Sequence, residues 1–285
     1  MRLDRKMSRR PQQKVGTIGI PTVASGKKAR VFWIAFVLII ALLIVGAIYF
    51  LYFRSSGERK LEQEKSALPS PIVNLQPPET EASEAKAETS SKIEKTAIPD
   101  EVNLNVPFTV QAPNGNWDKT HEEACEEAAM LMTGRFFESR GIGGADEAEA
   151  ALQEIIKWEN EHLGFFESTT AEETVKVIEG IYGLKTEIIS NPTVDDIKTT
   201  LAENKLVIVP AAGRQIGNPF YKQPGPLYHM LLLKGYTKTQ FITNDAGTKR
   251  GANYPYNFDV VLKANHDWNG GDVDNGAKRV IVVSK

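Results

Sequence analysis

The sequence predicts an α+β protein, with helices first and a mainly antiparallel sheet after them, carried behind one transmembrane helix and a disordered stalk. Three observations lead there. Residues 31–53, VFWIAFVLIIALLIVGAIYFLYF, contain no charged side chain. Residues 54–101 are rich in Glu, Lys, Ser, Ala and Pro and nearly free of large apolar side chains. From residue 102 onward, amphipathic helical patterns come first and apolar β-type runs cluster toward the C-terminus, the order expected of an α+β domain.

The charge is unevenly distributed. The chain of 285 residues has a net charge of -2, but residues 1–30 carry nine Lys and Arg against Asp4, and the rest sums to -10. The apolar run that follows is long enough to cross a hydrocarbon core of about 30 Å. It is apolar on every face, unlike a soluble core helix, and too long for the apolar region of a cleavable signal peptide. Trp33 at one end and Tyr49, Tyr52 and Phe53 at the other suit the two interfaces. The basic arm, 1–30, is expected to stay cytoplasmic. That makes the chain a single-pass protein of the cell membrane, anchored through 31–53, with its bulk extracytoplasmic. Nucleic acid is not an expected partner, because the arm leads into the span and the remainder is acidic.

Residues 54–101 cannot bury enough apolar surface to offset chain entropy, so a disordered stalk is expected there, with a short helix conceivable at 58–66. The domain is placed at 102–285. LNVPFTVQAP opens it as an extended segment. Helices are expected over ACEEAAMLMTGRFF, over DEAEAALQEIIKWENEHLG and over TTAEETVKVIEGIYG, the last capped at Thr169 or Thr170 and stopped at Gly183. TEII is a short strand, and Thr193 caps a fourth helix that feeds the apolar strand LVIVPA. The Gly- and Pro-rich stretch 213–227 is a loop. HMLLLKGY and TQFITNDAG form a hairpin about Thr237 and Lys238, NFDVVLKANHDW is helical, and KRVIVVS is a closing strand.

Cys125 is the single cysteine, within HEEACEEAAM. It has no partner for an internal disulfide, so it is a buried small hydrophobe, an intermolecular linker or a reactive thiol. A nucleophilic thiol needs a base. Of the four histidines, His121 sits at a helix start, where solvation suffices to explain it, while His162 and His266 suit helix C-termini. His229 opens the most apolar strand, directly after the loop, where it is either a base or a satisfied core histidine. Counting from the turn pairs it with a position near Asn244 and Asp245, which could fix the ring. Gln111, ahead of the cysteine helix, could donate to an oxyanion.

VPFTVQAPNGNW, EACEEAAMLM, YHMLLLKGY and FITNDAG together resemble the C39-like peptidases, papain-fold cysteine peptidases related to bacteriocin leader-processing domains, over roughly 104–285. The resemblance implies a papain-like fold acting on a peptide or protein substrate. It also implies Cys125 as nucleophile, His229 as base, Asp245 as orienter and Gln111 as oxyanion donor, with no metal or cofactor. The chain departs from that pattern in the spacing of Gln111 from Cys125, which demands a loop at 112–124, and in the Ala-Gly after Asp245. It carries no GxxxxGK loop, so it is not a transporter-fused processing domain.

Glu122/Glu126 and Glu123/Glu127 are like-charge pairs four residues apart, which argues for a helix break just before Cys125, although Thr120 and Glu123 fit a capping box. Carboxylates so close would raise the thiol pKa, opposing activation, unless they recognise a cationic substrate group. His121-Glu122 is not HExxH, and 267–276 lacks EF-hand spacing, so neither suggests a metal. A silent papain-like module binding peptides at the cell surface and an amidase acting on cell-wall peptides are the alternatives.

Overall fold

The computed structural model describes residues 26–72 and 98–285. Contacts divide the chain into two units, Met1–Arg59 and Lys60–Lys285. In the first, helix α1 (Gly26–Ser66) begins, and from Arg30 it is long and apolar enough to cross a membrane. Its Phe32, Leu38, Leu42 and Leu51 are exposed. Of the expected basic arm, residues 1–25 lie outside the described residues.

The second unit starts inside the segment expected to be a disordered stalk, and there the structure differs. Residues 54–66 continue α1 without a break, and Leu61 is buried in the core of the second unit. Lys65 Nζ donates to the Arg250 carbonyl at 2.7 Å. Ile72 bridges Leu104 in parallel and its N–H donates to the Asn103 carbonyl at 2.7 Å. One leucine and a few backbone bonds anchor a segment whose composition is otherwise that of a linker. The remainder of that stretch, 73–97, lies outside the described residues.

The domain then runs β1 (Val102–Asn103), α2 (Lys119–Glu122), α3 (Cys125–Phe137), α4 (Ala145–His162), α5 (Ala171–Tyr182), β2 (Lys185–Ser190) and α6 (Val194–Ala202). After them come β3 (Leu206–Ala212), α7 (Gly213–Ile216), β4 (Tyr228–Tyr236), β5 (Gln240–Asn244), β6 (Tyr254–Asn257), α8 (Phe258–Ala264) and β7 (Arg279–Ser284). This is the expected α+β arrangement: the sheet order is β2-β7-β3-β4-β5-β6 with every pair antiparallel, and β1 adds to β4. Every residue of β3 and β4 is buried, which explains their continuous apolar sequence. Thr170 and Thr193 cap α5 and α6 in capping boxes, and Gly183 ends α5 at φ 61°, where a side chain would be strained. Strand β6, the short α2 and α7, and the early end of α8 at Ala264 were not evident from periodicity.

The register of the hairpin also differs from the count. Asn244 lies opposite Leu232, not His229, because pairing begins only at Tyr236 and Phe241; a bulge between Leu233 and Gly235 then shifts the register by one residue. The extra residue is Lys234, whose buried ammonium donates to Asn103 Oδ1 at 2.6 Å and Asn253 Oδ1 at 2.8 Å. Beyond the bulge, β1 takes over the edge of β4 that β3 leaves at Leu233. A Cβ on Gly235 would run into the Val102 backbone, so β1 approaches only because this position has no side chain. Gly235→Ala is expected to lower the stability of the full chain in detergent by about 1–3 kcal/mol, read from thermal unfolding by tryptophan fluorescence.

One core feature is polar. Glu127 on α3 and Glu159 on α4 are fully buried, and their carboxyls have no donor in hydrogen-bond geometry. Burial first, and then mutual repulsion, pushes Glu127 far above the usual carboxyl range, and burial raises Glu159 to about 8. A carboxyl raised on folding adds stability that is complete below its ordinary value of 4.5 and is lost as pH rises toward the folded value. Glu159→Gln is therefore expected to flatten the fall in melting temperature between about pH 5 and pH 8 relative to wild type, a difference of up to a few kcal/mol.

Candidate active site

His229 sits at the second position of β4 with its ring wholly buried. Asp245 follows the last residue of β5 and is equally buried. His229 Nε2 lies 2.9 Å from Asp245 Oδ1. The same oxygen accepts the Gly247 N–H at 3.0 Å, and the other accepts from Asn218 Nδ2 at 3.0 Å, Tyr221 Oη at 2.7 Å and Tyr256 Oη at 2.6 Å. Burial by itself would raise this carboxyl, but the charge of His229 and the bonds from His229, Tyr256 and Tyr221 hold it below the usual carboxylate range. An ionised carboxylate only accepts, so His229 Nε2 carries the proton it donates. Nδ1 is buried with no hydrogen-bond partner, and in the neutral ring it holds the free lone pair.

Cys125 is the first residue of α3, and α2 ends before it at Glu122. The break falls where the like-charge pairs place it. Asp118, not Thr120, caps α2, accepting the His121 N–H at 3.1 Å. The sulfur is buried, with 4% of the residue exposed. The thiol donates to Glu126 Oε2 at 2.9 Å, and Glu126 Oε1 accepts the Thr169 N–H at 3.2 Å. Burial first, then the neighbouring Glu126 carboxyl, pushes the thiol well above its usual value, while the backbone of Met230, next to His229, acts the other way. The structure thus brings the start of α3 against β4 at the residue beside His229, yet the thiol's hydrogen bond goes to Glu126.

Gln111 lies beside this junction. Its Nε2 donates to the carbonyls of His121 at 2.8 Å and Glu122 at 3.2 Å, while Oε1 has no partner. Both amide hydrogens therefore hold the 112–124 loop closed, where an oxyanion was expected to receive one. The other histidines have structural partners. His121 is buried rather than solvated, bonded through Nδ1 to Asp118 at 2.7 Å and through Nε2 to Glu149 at 2.9 Å. His162 bonds the Trp158 carbonyl and stacks on its ring, and His266 bonds the Gly276 carbonyl.

Sequence reasoning missed Tyr221, Tyr256 and Asn218, which lie in a loop and a short strand with no periodic signal, whereas Glu126 was among the carboxylates expected to raise the thiol pKa. A cavity of about 350 Å³ opens beside the site. Tyr221, Tyr228 and Gly247 line it, and a Cβ on Gly247 would meet both the Tyr221 and His229 rings. Among the described residues, no group of His, Cys, Asp and Glu is arranged to hold a metal ion.

Residues 103–270 match the model of the Peptidase_C39 like family. Among solved structures, the chain is similar to a proposed C39-like peptidase from Bacillus anthracis, with 10% sequence identity, 66% of this chain and 98% of that chain covered, and a TM-score of 0.44. No curated protein matches. With more than half its length matched, the chain belongs to the Peptidase_C39 like family.

Proposed function

We propose that this chain is a membrane-anchored, extracytoplasmic cysteine peptidase in which Cys125 is the nucleophile, His229 the base and Asp245 the group that orients it. The observation that carries this reading is the placement of the His229 ring: Nε2 is committed to Asp245, and Nδ1 is buried without a partner. In the reaction the thiol turns from Glu126 toward that nitrogen and gives it its proton. The thiolate then forms a C–S bond to the scissile carbonyl. His229 returns the proton to the leaving amine as the C–N bond breaks, and water hydrolyses the thioester with His229 as base again. The Cys125 N–H, at the first position of α3, is a ready oxyanion donor, and Gln111 joins it once an amide hydrogen leaves the 121–122 carbonyls.

The second reading is a silent peptide-binding module, and one observation favours it: the buried thiol is bonded to a carboxyl that opposes its ionisation. Iodoacetamide labelling of the full chain in detergent at neutral pH separates the two. A peptidase labels at Cys125, Cys125→Ser does not label, and His229→Gln slows hydrolysis of a peptide library about 10²–10⁴-fold. A folded chain that neither labels nor cleaves would leave the binding module.

The proposed topology rests on the apolar helix from Arg30 and the cations that precede it. In right-side-out membrane vesicles, added protease is expected to degrade the domain beyond residue 98. In inside-out vesicles the domain is expected to be protected, and the reverse pattern would invert the topology.

A further inference from the structure

We infer that the cavity beside the His229–Asp245 pair receives a lysine or arginine side chain of the peptide substrate, with Glu122 and Glu123 as its anionic partners. This rests on the peptidase reading only for the word substrate; the cavity and its charges stand apart from it.

The cavity lies beside the proposed chemistry, since Tyr221 in its wall bonds Asp245 and packs edge-on against His229. Its volume of about 350 Å³ is in the range of small-ligand sites. Two carboxylates and two tryptophans, Trp117 and Trp268, share its lining. That combination suits a long cationic side chain, whose stem packs on aromatic faces while its head meets a carboxylate.

The chain supplies its own model of the contact. Lys222, also in the wall, places its ammonium 2.7 Å from Glu122 Oε1. Both side chains are well exposed, at 83% and 44%, so the pair is weak and open to exchange. The Glu123 carboxyl has no hydrogen bond or ion pair among the described residues. Half-burial first, then the carboxylates of Glu167 and Glu122, push its carboxyl up, and Lys119 opposes this with a smaller effect. Repulsion among three crowded acids is relieved by an incoming cation. A carboxylate or an apolar residue at this position of the substrate would leave it in place.

The test uses the full chain in detergent with Cys125→Ala, so that binding is read without turnover. Two fluorescein-labelled peptides, Ala-Ala-Arg-Ala-Ala and its citrulline counterpart, differ in charge with nearly the same shape. The arginine peptide is expected to bind about tenfold tighter by fluorescence anisotropy. Glu123→Gln is expected to abolish that preference, and Lys222→Ala, which removes the internal competitor from Glu122, to enlarge it. Since the two variants move in opposite directions, misfolding cannot mimic the pattern. An arginine peptide bound no tighter than the citrulline peptide, or no binding of either, overturns the inference. A preserved preference together with a wild-type chain that cleaves nothing would sink the peptidase reading alone.

Discussion

A carboxylate taken out of water must be met by donors, and Asp245 is met by five: the His229 ring, the Gly247 N–H, the Asn218 amide and the hydroxyls of Tyr221 and Tyr256. Leaving any of these unmade would cost on the order of 1–3 kcal/mol at a buried site, more where charge is involved. The donors come from separate segments: β4, the 213–227 loop, the turn after β5, and β6. The loop and the short strand β6 are therefore tied to the sheet through one charge. The same charge fixes the His229 tautomer. A fold that satisfies Asp245 thereby presents an imidazole with its Nδ1 lone pair free.

Cys125, the first residue of α3, meets different conditions beside Met230 of β4. The first turn of α3 is apolar in its packing yet holds Glu126 and Glu127, both fully buried. Each neutral carboxyl is a donor and acceptor that burial favours over the ionised form. A protonated Glu126 can take the thiol proton's hydrogen bond without adding charge, which keeps the sulfur quiet while no carbonyl is present. In the proposed mechanism the thiol leaves Glu126 for the unpartnered Nδ1 of His229, exchanging one hydrogen bond for another.

Much of the architecture could be read from sequence because it rests on local rules. Thr170 and Thr193 cap helices because a hydroxyl one residue ahead of an amphipathic run satisfies a free N–H. Gly183 stops α5 because the left-handed turn there excludes a side chain. The buried strands β3 and β4 are legible from unbroken apolar runs. What escaped depends on long-range contacts. Glu126, Glu127 and Glu159 look like surface charge, because no local pattern reports that a neighbouring element will cover them and lift their pKa values. Leu61 is one apolar residue in a linker-like composition, and only the completed domain offers it a place. His229, Asp245 and Cys125 were legible as chemical types, whereas Tyr221, Tyr256 and Asn218 have meaning only as donors around a charge.

The bulge in β4 shows how register becomes chemistry. Successive residues of a strand face opposite ways, so Asn244 and Asp245 cannot both point at His229. Asn244 turns to the entry segment, its amide donating to the carbonyls of Val106 and Pro107, and its Oδ1 accepts the Asn253 N–H. Asp245 takes the other side and meets the imidazole. The two roles are not interchangeable. An amide facing Nε2 could donate to it, which would move the ring proton to Nδ1 and remove the lone pair there, while a carboxylate facing two carbonyls would be repelled. A slip of one residue would make both exchanges at once. The register is held by Lys234, which occupies the bulge and is anchored to Asn103 and Asn253, and by Gly235, which lets β1 close over it. Two residues that touch nothing in the site thereby decide whether an acid or an amide faces the histidine.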